Sequence, residues 1–117
     1  MHELALTEEI VSGALRTARE AGARAIRQIT LELASTSHAD PEVVTAHFEM
    51  ISRGTLAEGA ELRFRHRPVS HVCPHCGQSY VVTDEWACPG CGSPALLAHD
   101  EPEMSLRNLE IDVPAAG

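Results

Sequence analysis

The sequence predicts an α+β fold in which two helices cover one face of a small three-stranded sheet, with a four-cysteine subdomain inserted before the last strand. Three observations lead there. Segments with helical apolar spacing take turns with segments of strict two-residue alternation, two Cys-Pro-x-Cys-Gly turns stand close together, and one more alternating segment follows them. A chain of 117 residues has room for one modest core. Aromatic residues make up only 3% of it, so the core lacks bulk and a staple is expected to supplement it.

From Leu4 to Ala18, Leu4, Val11, Leu15 and Ala18 lie along one helical face with Ile10 and Ala14 beside them, and Gly22 supplies the stop. The segment "IRQITLEL" alternates, with Ile29, Leu31 and Leu33 on one side and Gln28, Thr30 and Glu32 on the other, as a strand with one buried face does. "ADPEVVTAHFEMISRGT" announces a second helix, with Asp40 as N-cap, Pro41 at the first position, Val44, Phe48 and Ile51 buried, and Gly54 at its end. "AELRFRHRP" alternates again, with Ala60, Leu62 and Phe64 inward and Arg63, Arg65 and Arg67 outward. "LEIDV" offers Leu109, Ile111 and Val113 as a third strand.

The cysteines, Cys73, Cys76, Cys88 and Cys91, form a C-x2-C-x11-C-x2-C pattern. Two such pairs on facing turns place four thiolates at the corners of a tetrahedron, which suits Zn(II); iron shares the same donor set. Pro74 and Pro89 fix φ after the first cysteine of each pair, and Gly77 and Gly92 after the second can take positive φ, so that backbone N–H groups point at the sulfurs. Four thiolates close the coordination shell and leave no position for water or substrate, so the ion is read as structural. Val72, Tyr80, Val82, Trp86 and Leu96 are expected as a small apolar lid. Pro68 and Pro102 bracket the module, which divides the chain into residues 1–69 plus 103–117 and an inserted zinc-binding subdomain of residues 70–102.

Acidic residues outnumber basic ones 17 to 9, and a net charge of -8 repels a phosphate backbone, so no nucleic-acid partner is expected. No stretch approaches a membrane span and the start lacks the features of a signal peptide, which points to the cytoplasm. Phosphate-loop, H-E-x-x-H and G-x-S-x-G patterns are absent and no cysteine remains outside the metal set, so an enzyme is not expected. The arginines at 63, 65 and 67 read as a solvated strand face.

Histidines occur at 2, 38, 47, 66, 71, 75 and 99. His47 reads as a boundary residue of the second helix, His66 as a half-exposed residue on the apolar side at a strand end, and His71, His75 and His99 as neighbours of the metal module. His2 differs because the chain terminus beside it is also a donor. The amine of Met1, the amide nitrogen of His2 and the imidazole Nδ1 of His2 form fused five- and six-membered chelate rings in one plane, a set that favours Ni(II) or Cu(II) over zinc. A frayed terminus with no ligand is the competing reading of the same residues.

"MHELALTEEI", "ADPEVVTAHFEMISRGTLAEGAEL" and the two C-P-x-C-G turns, in this order and over nearly the whole chain, resemble the HypA family of hydrogenase nickel incorporation proteins. The resemblance implies a nickel metallochaperone with a separate structural zinc site. Its cargo is Ni(II), delivered to the large subunit of [NiFe] hydrogenase with the GTPase partner HypB, and in some organisms urease maturation proteins are served as well. The family's nickel motif falls on Met1, His2 and Glu3, and its zinc ligands on Cys73, Cys76, Cys88 and Cys91. Many relatives carry a G-E-x-S-like turn after the first strand where this chain has "ASTSHAD", and His38, Asp40 and His99 are candidates for a further donor. The alternative is a zinc-ribbon adaptor that binds proteins and whose only metal is structural. That reading leaves the M-H-E start unexplained.

Overall fold

A computed structural model describes residues 2–95 and 102–115 of the chain. Its elements are α1 (His2–Glu20), β1 (Ala25–Ala34), α2 (Pro41–Ile51), β2 (Glu61–Arg67), β3 (Ser70–Val72), β4 (Ser79–Val81) and β5 (Met104–Asp112). The two helices and the sheet of β2, β1 and β5 form the predicted α+β core.

Helix α1 starts at His2 and outruns the apolar stretch at both ends. Val11, Ala14, Leu15 and Ala18 are buried as the spacing requires, and Leu4 and Ile10 are half-buried. Thr7 is buried too, which its polarity hid; its hydroxyl is satisfied by donating to the Glu3 carbonyl at 2.6 Å. The helix stops in a Schellman turn: Gly22 takes φ +73°, its N–H donates to the Arg19 carbonyl and the Ala23 N–H to the Ala18 carbonyl. Helix α2 is capped by Asp40, whose carboxylate accepts from the Glu42 N–H at 2.9 Å, and it buries Val44 and Phe48 while Ile51 is half-covered.

Strand β1 is central. It pairs in parallel with β2, across the α2 crossover, and antiparallel with β5, so that Ile29 faces Leu62 on one side and Leu109 on the other. Both helices cover the face carrying Ile29, Leu31 and Leu33; the other face carries Gln28, Thr30 and Glu32 beside Arg63, Arg65, Arg107 and Asn108. There Glu32 holds Arg67 at 3.3 Å and Arg107 at 3.9 Å.

Strand β5 is longer than the segment "LEIDV". Asn108 pairs with Thr30 but Leu106 with Leu31, so Arg107 is an inserted bulge residue that breaks the two-residue alternation. The upstream half, including the buried Met104, therefore carries no clean period. Val113 lies past the end of the strand and is exposed, against the expectation that it is inward. His66, expected to be half exposed, is exposed at the end of β2, an edge strand whose inward residues Leu62 and Phe64 are only half-covered.

Strands β3 and β4 form a separate hairpin, with a small interior of Cys73, Val82, Cys88 and Ala95 that is not part of the main core cluster. Tyr80 and Trp86 are half-buried over it, while Val72, expected in the lid, is exposed. Its side chain points away because His71 takes the inner position and meets Tyr80 edge-on, with ring centroids 5.6 Å apart. Leu96, the last expected lid residue, lies outside the described residues. The radius of gyration is 17.5 Å, where a compact chain of this length would have about 13 Å, so the hairpin extends the molecule rather than packing into it.

The two ends of the hairpin segment are held side by side. The Ser35 N–H donates to the Arg67 carbonyl, the Val69 N–H to Ser35 Oγ, the Ala34 N–H to the Glu103 carbonyl, and Arg67 Nη2 to the Pro102 carbonyl at 2.9 Å. No helix among the described residues is long and apolar enough to cross a membrane.

Candidate metal centres

Two near-identical turns build the cysteine site. In the first, the Cys73 N–H donates to the Gln78 carbonyl and the Gly77 N–H to the Cys73 carbonyl; in the second, the Cys88 N–H donates to Ser93 and the Gly92 N–H to Cys88. Closing each turn needs a left-handed residue after the second cysteine, and Gly77 and Gly92 supply it with φ of +77° and +74°. The first cysteine of each turn is thereby buried and the second exposed.

All four sulfurs lie within 4.8 Å of one another. Cys73 and Cys91 are 3.7 Å apart and Cys76 and Cys88 are 3.6 Å apart. A tetrahedron with metal–sulfur bonds of about 2.3 Å has edges of about 3.8 Å, so this donor set fits a zinc-sized ion with little adjustment. The two exposed thiols of the set differ in their surroundings. The Ser93 hydroxyl and backbone N–H stabilise the Cys91 thiolate and hold that thiol down at about 6. The Gln78 backbone N–H pulls Cys76 the same way, yet the Cys88 sulfur and desolvation push it up to about 12. The two exposed sulfurs, each second in its turn, are thus pulled in opposite directions. Tyr80, desolvated and facing the same sulfurs, is raised as well.

Where the hairpin segment rejoins the core, His2 is the first residue of α1 and its imidazole Nε2 lies 2.7 Å from Glu103 Oε2. The second oxygen of Glu103 accepts from Ser37 Oγ at 2.8 Å and from the His38 N–H at 3.3 Å. Burial pushes the Glu103 carboxyl up, but the hydrogen bonds from His2 and Ser37 outweigh it and hold it below the ordinary carboxylate range. Met1 and His99 lie outside the described residues. Glu3 sits in the first turn of α1, Asp40 is engaged as the α2 cap, and His38 Nδ1 stands 3.7 Å from Asp84 of the hairpin segment. Among the described residues the four cysteines are the one converging group of three or more metal-binding side chains. The structure therefore does not gather His2, Glu3, His38 and Asp40 into a side-chain cluster. His71 and His75 stand outside the cysteine group too, and His47 is half-buried on α2.

Glu103 and Ser93 are the two site residues that sequence reasoning did not find. Ser93 follows its cysteine by two positions and could have been read as a hydroxyl aimed back at the sulfur. Glu103 is 101 positions from His2 and nothing local marks it.

Comparison with known proteins gives one consistent result. The chain matches the family described as hydrogenase/urease nickel incorporation, metallochaperone, hypA, over residues 1–111. It is 33% identical over 113 residues to the hydrogenase maturation factor HypA of Acidithiobacillus ferrooxidans, spanning 96% of this chain and 100% of that protein. The HypA 2 protein of Bradyrhizobium diazoefficiens is similar to the same degree, with 33% identity over 96% of this chain and all of its own length. Among solved structures, the solution structure of the Ni metallochaperone HypA from Helicobacter pylori shares the fold with a TM-score of 0.66 at 19% identity, covering 96% of this chain and 98% of that one.

Proposed function

The chain belongs to the HypA family of nickel-incorporation metallochaperones for hydrogenase maturation, and we propose that it takes up Ni(II) as cargo through Met1, His2 and Glu3 and holds Zn(II) at Cys73, Cys76, Cys88 and Cys91. In this reading the nickel domain comprises residues 1–69 and 103–117 and the zinc subdomain residues 70–102. The client is the large subunit of [NiFe] hydrogenase in the cytoplasm, HypB is the GTPase partner, and urease maturation is a further destination.

The observation that carries the nickel reading is the position of His2 at the start of α1. The first four N–H groups of a helix have no intrahelical acceptor, so the His2 amide can lose its proton and bind a metal without breaking a hydrogen bond of the helix. The positive end of the helix dipole opposes a divalent cation there. Deprotonation of the amide, with Glu3 in the first turn, offsets that opposition. Zinc plays the other part: when bound it supplies the positive charge that lets four sulfurs be thiolates together, and a closed four-sulfur shell gives it no open position for chemistry.

The experiment is a nickel titration of zinc-loaded protein with a native amino terminus, set beside one variant extended before Met1 and one extended by the same length after Gly117. The amino-terminal extension turns the Met1 amine into an amide and should abolish tight uptake; the carboxy-terminal one should not. Acid should release nickel, because the amine and imidazole must be unprotonated to bind. Equal nickel affinity in both extended proteins excludes the terminal chelate.

A further inference from the structure

We infer that Glu103 is the positioning residue of the nickel site: by accepting a hydrogen bond from His2 Nε2 it holds the imidazole in the tautomer and orientation that leave Nδ1 free to bind. The inference rests on the terminal nickel reading above.

A neutral imidazole has one N–H and one lone pair, and an ionised carboxylate can only accept. With Glu103 Oε2 at 2.7 Å from Nε2, the proton must sit on Nε2 and the lone pair on Nδ1. Nδ1 is the nitrogen whose reach closes a six-membered ring with the residue's own amide; Nε2 points outward from that ring. The fold therefore presents the chelating nitrogen before any metal arrives. A carboxylate behind a ligating histidine also raises its basicity.

Glu103 is itself fixed from several sides. Its carbonyl accepts from the Ala34 N–H at 3.0 Å, and the next residue, Met104, is buried in the main core at the start of β5. Its other carboxylate oxygen is held by Ser37 Oγ and the His38 N–H, both in the loop between β1 and α2. A surface glutamate free to rotate would not meet three donors from two separate segments. Among the described residues this carboxylate is the hydrogen-bond partner seen for the His2 ring.

The test uses full-length, zinc-loaded protein with a native terminus, as wild type, Glu103→Ala and Glu103→Gln. Long-range proton–nitrogen NMR of the apo protein at neutral to mildly basic pH reads the His2 tautomer without nickel. Wild type should show Nε2 protonated and Nδ1 bare, Glu103→Gln the same because its amide oxygen still accepts, and Glu103→Ala a ring that behaves like histidine in an unstructured peptide. Nickel affinity, measured by competition with a chelator, should fall about 10- to 100-fold in Glu103→Ala and be largely restored in Glu103→Gln. The absorption bands of the square-planar nickel complex and the zinc content should be unchanged in all three. If Glu103→Gln loses as much affinity as Glu103→Ala while the ring is unaltered in both, the carboxylate acts through its charge alone and positioning is wrong. If Glu103→Ala binds like wild type with the same tautomer, Glu103 has no role. If wild type itself takes up no nickel through its terminus, the terminal site fails, and this result is distinct from either of those.

Discussion

In the zinc reading proposed above, removing the metal should unfold the hairpin segment and leave the helices standing. Within that segment the buried apolar side chains among the described residues are Val82 and Ala95, with Cys73 and Cys88 beside them. Burying a valine and an alanine stabilises by about 2–3 kcal/mol. Ordering backbone costs about 1–2 kcal/mol per residue, so that gain is consumed by two or three residues, whereas the hairpin and its turns run from Ser70 to Ala95. A structural zinc in a small four-ligand peptide contributes about 10–16 kcal/mol, which is the amount that full removal of the metal by a chelator would take away. The main core, built from α1, α2, β1 and Met104, shares none of the residues of this small interior. Trp86 is the only tryptophan in the chain and lies two residues before Cys88, so its fluorescence reports the hairpin segment alone, while far-ultraviolet circular dichroism reports the helices. Chelation should shift Trp86 emission to the red, with the helical signal retained. Trp86 emission unchanged after full zinc loss, or both signals collapsing together, would refute the reasoning.

Ile29→Ala on the central strand, where Ile29 has no exposed surface, should cost about 2–5 kcal/mol in denaturant unfolding of the core without altering zinc content. Asp40→Ala removes the α2 cap and should lower stability by about 1 kcal/mol, whereas Asp40→Asn, which still caps, should restore it; equal losses in both would mean that the charge matters more than the hydrogen bond. Asp112 is held below the ordinary carboxylate range by hydrogen bonds from Arg24 and then Arg27. A carboxylate depressed in the folded state adds stability above its unfolded value of about 3.9 and loses it as pH falls through the folded value. Asp112→Asn should therefore be less stable than wild type at neutral pH and indistinguishable from it in strong acid, as read by thermal melts across that range.

The elements with an unbroken period were legible. Val11, Leu15 and Ala18 on α1, Ile29, Leu31 and Leu33 on β1, and Val44 and Phe48 on α2 are buried as their spacing demands, and the Cys-Pro-x-Cys-Gly turns bring four sulfurs together. What escaped was set by geometry that leaves no period behind. The bulge at Arg107 hid half of β5, the inward turn of His71 put Val72 in solvent, and the buried Thr7 was disguised by a hydroxyl that bonds to its own helix. At the amino terminus, M-H-E could be read as a chelate from covalent chemistry alone. Its partner Glu103 could not, because only the return of the chain into β5 brings that carboxylate to His2.

That return has a consequence in chain statistics. Arg67 and Pro102 are 35 positions apart in sequence and joined by one hydrogen bond, so the core meets everything between them as a loop whose ends already touch. The entropy of closing a loop grows only with the logarithm of its length, and halving or doubling this one changes it by about 0.6 kcal/mol. What hangs from the junction can thus be lengthened, shortened or exchanged for another module while the core keeps its stability. The part of the chain that carries the four cysteines and the part that begins with M-H-E are free to diverge at separate rates.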